Sequence, residues 1–144
     1  MKIMPGRRAV LACYLIAFIS LSIEQTYAAG ISDPAAVYAA KSGYKYKLLQ
    51  DGRGVVVFPD GTECDGWDFY RGKAGQRWSY CELHGGKIEK RSESMGTWKA
   101  EYAVCVFADG SECGEADYAE GRSGPGIYKR WSPDIEKRVK LIKK

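Results

Sequence analysis

Two stretches of the chain share one alternation of apolar and polar positions. In the first, Asp33 can cap a helix that has Pro34 at its first position, helix formers run from Ala35 to Ser42, and Gly43 stands where a left-handed residue closes it. Tyr44-Lys45-Tyr46-Lys47 then alternates as a strand with one wet face, and Val55–Phe58 is apolar on both faces, as a buried strand would be. Pro59-Asp60-Gly61 fits a type I turn closed by a left-handed glycine, a three-residue hairpin loop, and a short helix over Gly66–Arg71 ends at Gly72. The second stretch repeats this order. Ser79 and Glu82 have capping-box spacing, Gly85 closes the helix, Lys87-Ile88-Glu89 alternates, Ala103–Phe107 is apolar, Ala108-Asp109-Gly110 turns, and Glu115–Glu120 forms a helix that stops at Gly121. The pattern predicts an α+β protein of two small tandem units, each helix, strand, hairpin, helix.

The two stretches are also alike residue by residue. Val56–Gly75 aligns with Cys105–Gly124 at a constant offset of 49, with nine of 20 positions identical. Upstream, Tyr38 aligns with Tyr80 at an offset of 42, and a loop around Gly96 absorbs the difference. Units this small have thin cores, so packing together or disulfide stapling is expected.

The segment before the repeats reads differently. Lys2, Arg7 and Arg8 precede an apolar run from Ala9 to Ile23, and small residues follow at Ala28 and Ala29, the order of a secretory signal peptide. The run is shorter than the roughly 20 residues a spanning helix needs, so no transmembrane segment is expected in the mature form. The expected division is a signal peptide over 1–28, a first repeat over 29–75, a second over 76–127 and a basic tail over 128–144. Cys13 stands near the start of the apolar run instead of after it, so it reads as a plain signal-peptide residue and not a lipidated one.

Composition narrows the classes. The chain has 144 residues, 45% hydrophobic and 28% charged, with a single histidine, His84, which leaves little room for histidine-based metal centres or acid–base chemistry. Seven of the nine charged residues from Tyr128 to Lys144 are basic, which leaves the body net acidic and gives no basis for nucleic-acid binding. No cofactor or metal is expected, and no catalytic residue is assigned: the serines have no triad pattern, and the acidic pairs Glu63 with Asp65 and Glu112 with Asp117 stand at turns and helix starts, where they cap.

The combination of DPAAVY, FPDGTEC and WDFYRG, repeated as SYCELHGGKIE, CVFADGSEC and DYAEGRSG, resembles two copies of the bacterial domain of unknown function 333, a family that carries a hemolysin label. The resemblance covers residues 32–75 and 79–124. It implies an exported or envelope-attached small protein and supplies no catalytic residue to carry over. It also implies four cysteines per copy, of which the first copy keeps Cys64 and the second keeps Cys81, Cys105 and Cys113, with Ser123 at the fourth place. The hemolysin label has no support in these residues, since the mature chain has no long apolar segment and no clear pore-forming strand pattern.

In an oxidising compartment the four mature cysteines favour two disulfides. The three-residue loop sets Cys105 opposite Cys113, which predicts a bridge across that hairpin and a second bridge from Cys64 to Cys81 that staples the two units. The aromatic cluster Trp67, Tyr70, Arg71 and Trp78 is the candidate binding surface, suited to a sugar or peptide, although a domain this small is expected to bury such rings as its core. In the tail, Ser132 can cap a helix with Pro133 at its first position and a stripe of Ile135, Val139 and Ile142. The expectation is a terminal helix or strand that docks this stripe on the core with the lysines solvated, and the alternative is that Lys137, Arg138, Lys140, Lys143 and Lys144 tether the chain to an anionic surface. The expected function is that of an exported, periplasmic or secreted, non-catalytic module for an unknown protein or envelope component. The alternative is a secreted protease inhibitor or host-directed effector presenting the hairpin Phe107–Ser111.

Overall fold

The computed structural model describes residues 33–141. The expected signal peptide and cleavage site, Cys13, Ile142, Lys143 and Lys144 lie outside the described residues.

The first elements are α1 (Pro34–Lys41), β1 (Lys45–Leu48), β2 (Gly54–Val57), β3 (Glu63–Asp65) and α2 (Gly66–Tyr70). Asp33 caps α1, its carboxylate accepting from the Ala35 N–H at 3.0 Å, and Asp65 caps α2 in the same way. The hairpin closes as its residues dictate: Gly61 is left-handed (φ 81°), and the Asp60 carboxylate accepts from the N–H and hydroxyl of Thr62. Strands β1, β2 and β3 form an antiparallel sheet in that order.

A 3-10 turn over Gln76–Trp78 leads to α3 (Tyr80–Leu83), β4 (Lys87–Met95), β5 (Trp98–Val106), β6 (Glu112–Gly114), α4 (Glu115–Ala119), β7 (Tyr128–Arg130) and β8 (Val139–Lys140). The five strands form a second antiparallel sheet in chain order. Ser79 caps α3, but the Glu82 carboxylate accepts from the Ile88 N–H at 2.9 Å instead of closing a capping box. The segment around Gly96 is no irregular loop: Gly96 and Thr97 form a two-residue turn between two nine-residue strands, whose register runs from Met95↔Trp98 to Lys87↔Val106.

The two halves bury different chemistry. Around α1, β2 and α2 the core is aromatic, with Tyr38, Phe58 and Phe69 buried and Tyr44 and Trp78 packed on them. Around α3, β5 and β6 it is Cys81, Val104, Cys105, Cys113 and Trp131.

The disulfide joins Cys81 to Cys105, with their Cα atoms 5.5 Å apart, and Cys64 and Cys113 are free. The expected Cys105–Cys113 and Cys64–Cys81 pairings are therefore corrected. Cys105 does face Cys113 in register. Because the Phe107 N–H bonds to the Ser111 carbonyl, two residues on, the Cys105–Cys113 site is a hydrogen-bonded pair, the wider kind, and side chains there stand side by side off the sheet. Cys81 instead approaches from above on α3, so that the two Cβ vectors converge. Gly86 leaves the room, since any side chain there would run into both sulfurs. In the first half Ala39 and Val56 stand in place of the cysteines, and Tyr44, at the position of Gly86, packs on Phe58 and Phe69.

Of the helix or strand expected in the tail, the strand form is the one present: it forms β7, a 3-10 turn over Ile135–Lys137 capped by Asp134, and β8. The predicted stripe is not what docks, for Ile135 is 76% exposed and Val139 50%. Trp131 docks instead, its ring against Gly114 and its main-chain N–H donating to the Glu112 carboxylate at 2.9 Å.

Candidate functional site

A groove of about 620 Å³ runs beside the first half of β5. Tyr70 and Arg71, at the end of α2, form one wall, Trp131 and Pro133 of the tail form the other, and residues Trp98–Tyr102 of β5 lie between. Tyr70 is placed by α2, whose capped start sets its ring edge-on to Trp67 (5.6 Å) and Tyr38 (5.9 Å). Trp131 is held 5.5 Å from the Tyr102 ring, with the Arg138 guanidinium 4.7 Å from its own centroid. Trp98 is 59% exposed at the outer end.

The charges are unevenly committed. Glu101 pairs with Lys73 at 2.5 Å, whereas among the described residues neither Arg71 nor Lys99 makes an ion pair; Arg71 stacks over Trp67 at 5.0 Å. Burial and the Glu93 carboxylate hold the Tyr102 hydroxyl above its usual range. The groove thus offers flat apolar faces and spare positive charge.

Of the four residues expected to make a binding surface, Tyr70 and Arg71 line this groove, and Trp67 braces both from behind. Trp78 stacks on Phe58 at 5.8 Å within the aromatic core and takes no part. Trp98, Lys99, Tyr102 and Trp131 were not singled out from the sequence. They come from a strand and a tail that no spacing rule joins, and the one available signal was the recurrence of aromatics at Trp98 and Tyr102 on one strand face.

In the tail, Lys137 bonds Glu93 at 2.9 Å and Arg138 donates to the Ser132 carbonyl at 2.6 Å, so both are engaged within the fold, while Lys140 is exposed on β8. His84 is exposed and stacked on Tyr80 at 3.8 Å. Of the acids read as caps, Asp65 caps α2, Glu63 bonds Lys47, Glu112 bonds Arg91 and Asp117 bonds Arg122.

One buried acid escaped the sequence reading. Glu115, the first residue of α4, is fully buried; its Oε1 accepts from the Tyr38 hydroxyl at 2.5 Å and the Cys81 N–H at 3.0 Å, and its Oε2 has no partner. Burial pushes its pKa up. Its carboxylate and the sulfurs of Cys81 and Cys105 lie within 4.8 Å of one another, but the sulfurs are bonded to each other, so only the carboxylate remains free to ligate a metal. Among the described residues no helix is long and apolar enough to cross a membrane.

An uncharacterized protein of Archaeoglobus fulgidus is 35% identical over 74 residues, which is 49% of this chain and 35% of that protein. The matched part thus spans about a third of the relative's length, the relative is archaeal, and its name carries no hemolysin description. No solved structure matches the chain. Residues 30–73 and 79–122, more than half of the chain, match the family described as Domain of unknown function (DUF333), and the chain belongs to that family in two tandem copies.

Proposed function

We propose that the chain is an exported, non-catalytic module that binds a protein or envelope component in the groove between α2, β5 and the tail. The observation that carries this reading is the groove itself, whose volume of about 620 Å³ falls in the range of ligand sites and whose walls combine Tyr70, Trp98, Tyr102 and Trp131 with Arg71 and Lys99, neither of which makes an ion pair among the described residues. Aromatic and arginine side chains are the residue types that anchor interfaces. The Cys81–Cys105 disulfide supports an oxidising compartment.

The inhibitor reading has less behind it. Phe107 is turned inward against Tyr118 at 5.1 Å and Ser111 is buried, so the hairpin tip presents only Ala108 to Gly110 to a target.

The test is capture of solubilised envelope components by the immobilised full chain, as wild type and as Trp98→Ala with Arg71→Ala. The reading expects a component retained by wild type and lost from the variant. Equal retention by both would contradict it.

A further inference from the structure

The groove borders an unpaired strand edge. Strand β6 pairs with β5 only over Val104↔Gly114, Cys105↔Cys113 and Val106↔Glu112, so among the described residues Trp98–Ala103 of β5 are paired on one side alone, with β4. The two-residue turn makes Met95 and Trp98 a hydrogen-bonded pair, and by alternation Trp98, Ala100 and Tyr102 commit their main-chain groups to β4. Lys99, Glu101 and Ala103 therefore turn theirs to the opposite edge, in phase with Cys105, which meets β6 there. Among the described residues, none of the main-chain bonds outside the helices and ladders engages Lys99, Glu101 or Ala103.

The two walls stand on opposite faces of this edge. Lys99 and Glu101 project to the face where Gly72, at the end of α2, abuts Ala103 and where Lys73 reaches Glu101; Arg71 belongs to this side. Trp98 and Tyr102 project to the other face, where Trp131 packs on Tyr102. One face of the open edge is thus cationic and the other aromatic.

We propose that an extended peptide with alternating acidic and apolar residues adds to the open edge of β5 as a further antiparallel strand, its carboxylates toward Arg71 and Lys99 and its apolar side chains toward Trp98, Tyr102 and Trp131. This rests on the groove being the binding site and names the class of partner. Main-chain bonds to Lys99 and Glu101 supply the affinity, and the two unlike walls supply the register. Residues Trp98–Tyr102 at about 3.4 Å each set a footprint of roughly five residues. An edge of this kind recruits strands unless it is covered, and the groove runs beside this one.

The probe is a fluorescently labelled peptide of alternating valine and glutamate, titrated into the full chain and followed by anisotropy. Saturable binding is expected, weakened at least tenfold by Lys99→Glu and by Trp98→Ala at unchanged melting temperature, and absent for a valine–lysine peptide. Methylating the amides of one alternate set of peptide residues should abolish binding, and methylating the other set should leave it intact, because a paired strand commits every second amide. Equal effects of the two methylation patterns would overturn strand addition, as would equal binding of the lysine peptide. Displacement of the peptide by a polyuronate without any effect of methylation would assign the groove to a glycan, and self-association of the full chain through this edge in ultracentrifugation would assign it to a second copy. Failure of the peptide while Trp98→Ala still abolishes envelope capture would refute strand addition and leave the groove as the site; capture indifferent to Trp98→Ala would refute both.

Discussion

Tyr38 donates its hydroxyl to the buried carboxyl of Glu115, 77 residues further along the chain and in the other copy of the repeat, at 2.5 Å. The same carboxyl oxygen accepts from the Cys81 N–H at the start of α3, so one side chain ties α1 to α3 and α4. Its partner position in the first copy is Gly66, over which the Tyr46 ring lies, and there the Tyr46 hydroxyl bonds the cap residue Asp33 at 2.6 Å.

Burial holds the Glu115 pKa above the ordinary carboxylate value in the folded chain. The folded state therefore holds this proton more tightly than the unfolded one, and the associated stability is full below the ordinary carboxylate pKa and is lost as pH rises through the folded value, at about 1.4 kcal/mol per unit of difference. Urea midpoints measured against pH should thus fall less steeply on the alkaline side for Glu115→Gln than for wild type. Tyr38→Phe removes the shortest bond to this carboxyl and should cost about 1–3 kcal/mol. Parallel pH profiles for wild type and Glu115→Gln would contradict the assignment.

Peptide mapping without reduction should link Cys81 to Cys105 and leave Cys64 and Cys113 as thiols. Removing the bridge as Cys81→Ala with Cys105→Ala should cost about 3 kcal/mol by the loop-closure account of a 24-residue separation. Burial pushes the Cys113 thiol up to about 12 and that of Cys64 up to about 11, so alkylation of either in the folded chain at neutral pH should be slow.

Ser123 Oγ is buried without a hydrogen-bond partner, and its hydroxyl offsets part of the effect of burial on the Cys113 thiol. Ser123→Cys should therefore oxidise to a second disulfide with Cys113 and raise stability by about 2–3 kcal/mol. A variant that instead links residue 123 to Cys64, or stays reduced in air, would show that the two positions do not meet.

Glu112 fastens the tail. Burial would raise its pKa, but the Arg91 guanidinium, bound at 2.6 and 2.8 Å, and the Trp131 N–H more than offset this and hold it below the usual value. Its stabilisation is present above the ordinary carboxylate range and lost as pH falls through the lowered value. Glu112→Gln should cost about 1.5–3 kcal/mol and expose Trp131, read as a red shift of tryptophan emission. An unchanged spectrum would show that Trp131 docks without this carboxylate.

Local rules made much of the architecture legible in the sequence. Asp33 with Pro34 marked the start of α1, Gly43 its end, and the Asp-Gly turns fixed both hairpin registers, including Cys105 opposite Cys113. What stayed hidden depended on approach in the third dimension. The register placed two cysteines side by side, but the direction of their Cβ atoms favoured a third cysteine on α3. In the tail, helical spacing at Ile135 and Val139 lost to one residue, Trp131, whose indole packs on Gly114 while its main-chain N–H bonds Glu112. The groove was half visible, since Tyr70 and Arg71 carried a local signal while Trp98, Tyr102 and Trp131 meet only because β5 outruns β6.

The most direct test of the groove as binding site is photo-crosslinking in the presence of the solubilised envelope. Trp98 is replaced by a photoreactive phenylalanine analogue in one full-length sample, and Leu48, which is 71% exposed on the other sheet, in a second. The account predicts a discrete adduct from position 98 that Arg71→Ala diminishes, and none from position 48. An adduct from position 48 with none from position 98 would contradict it.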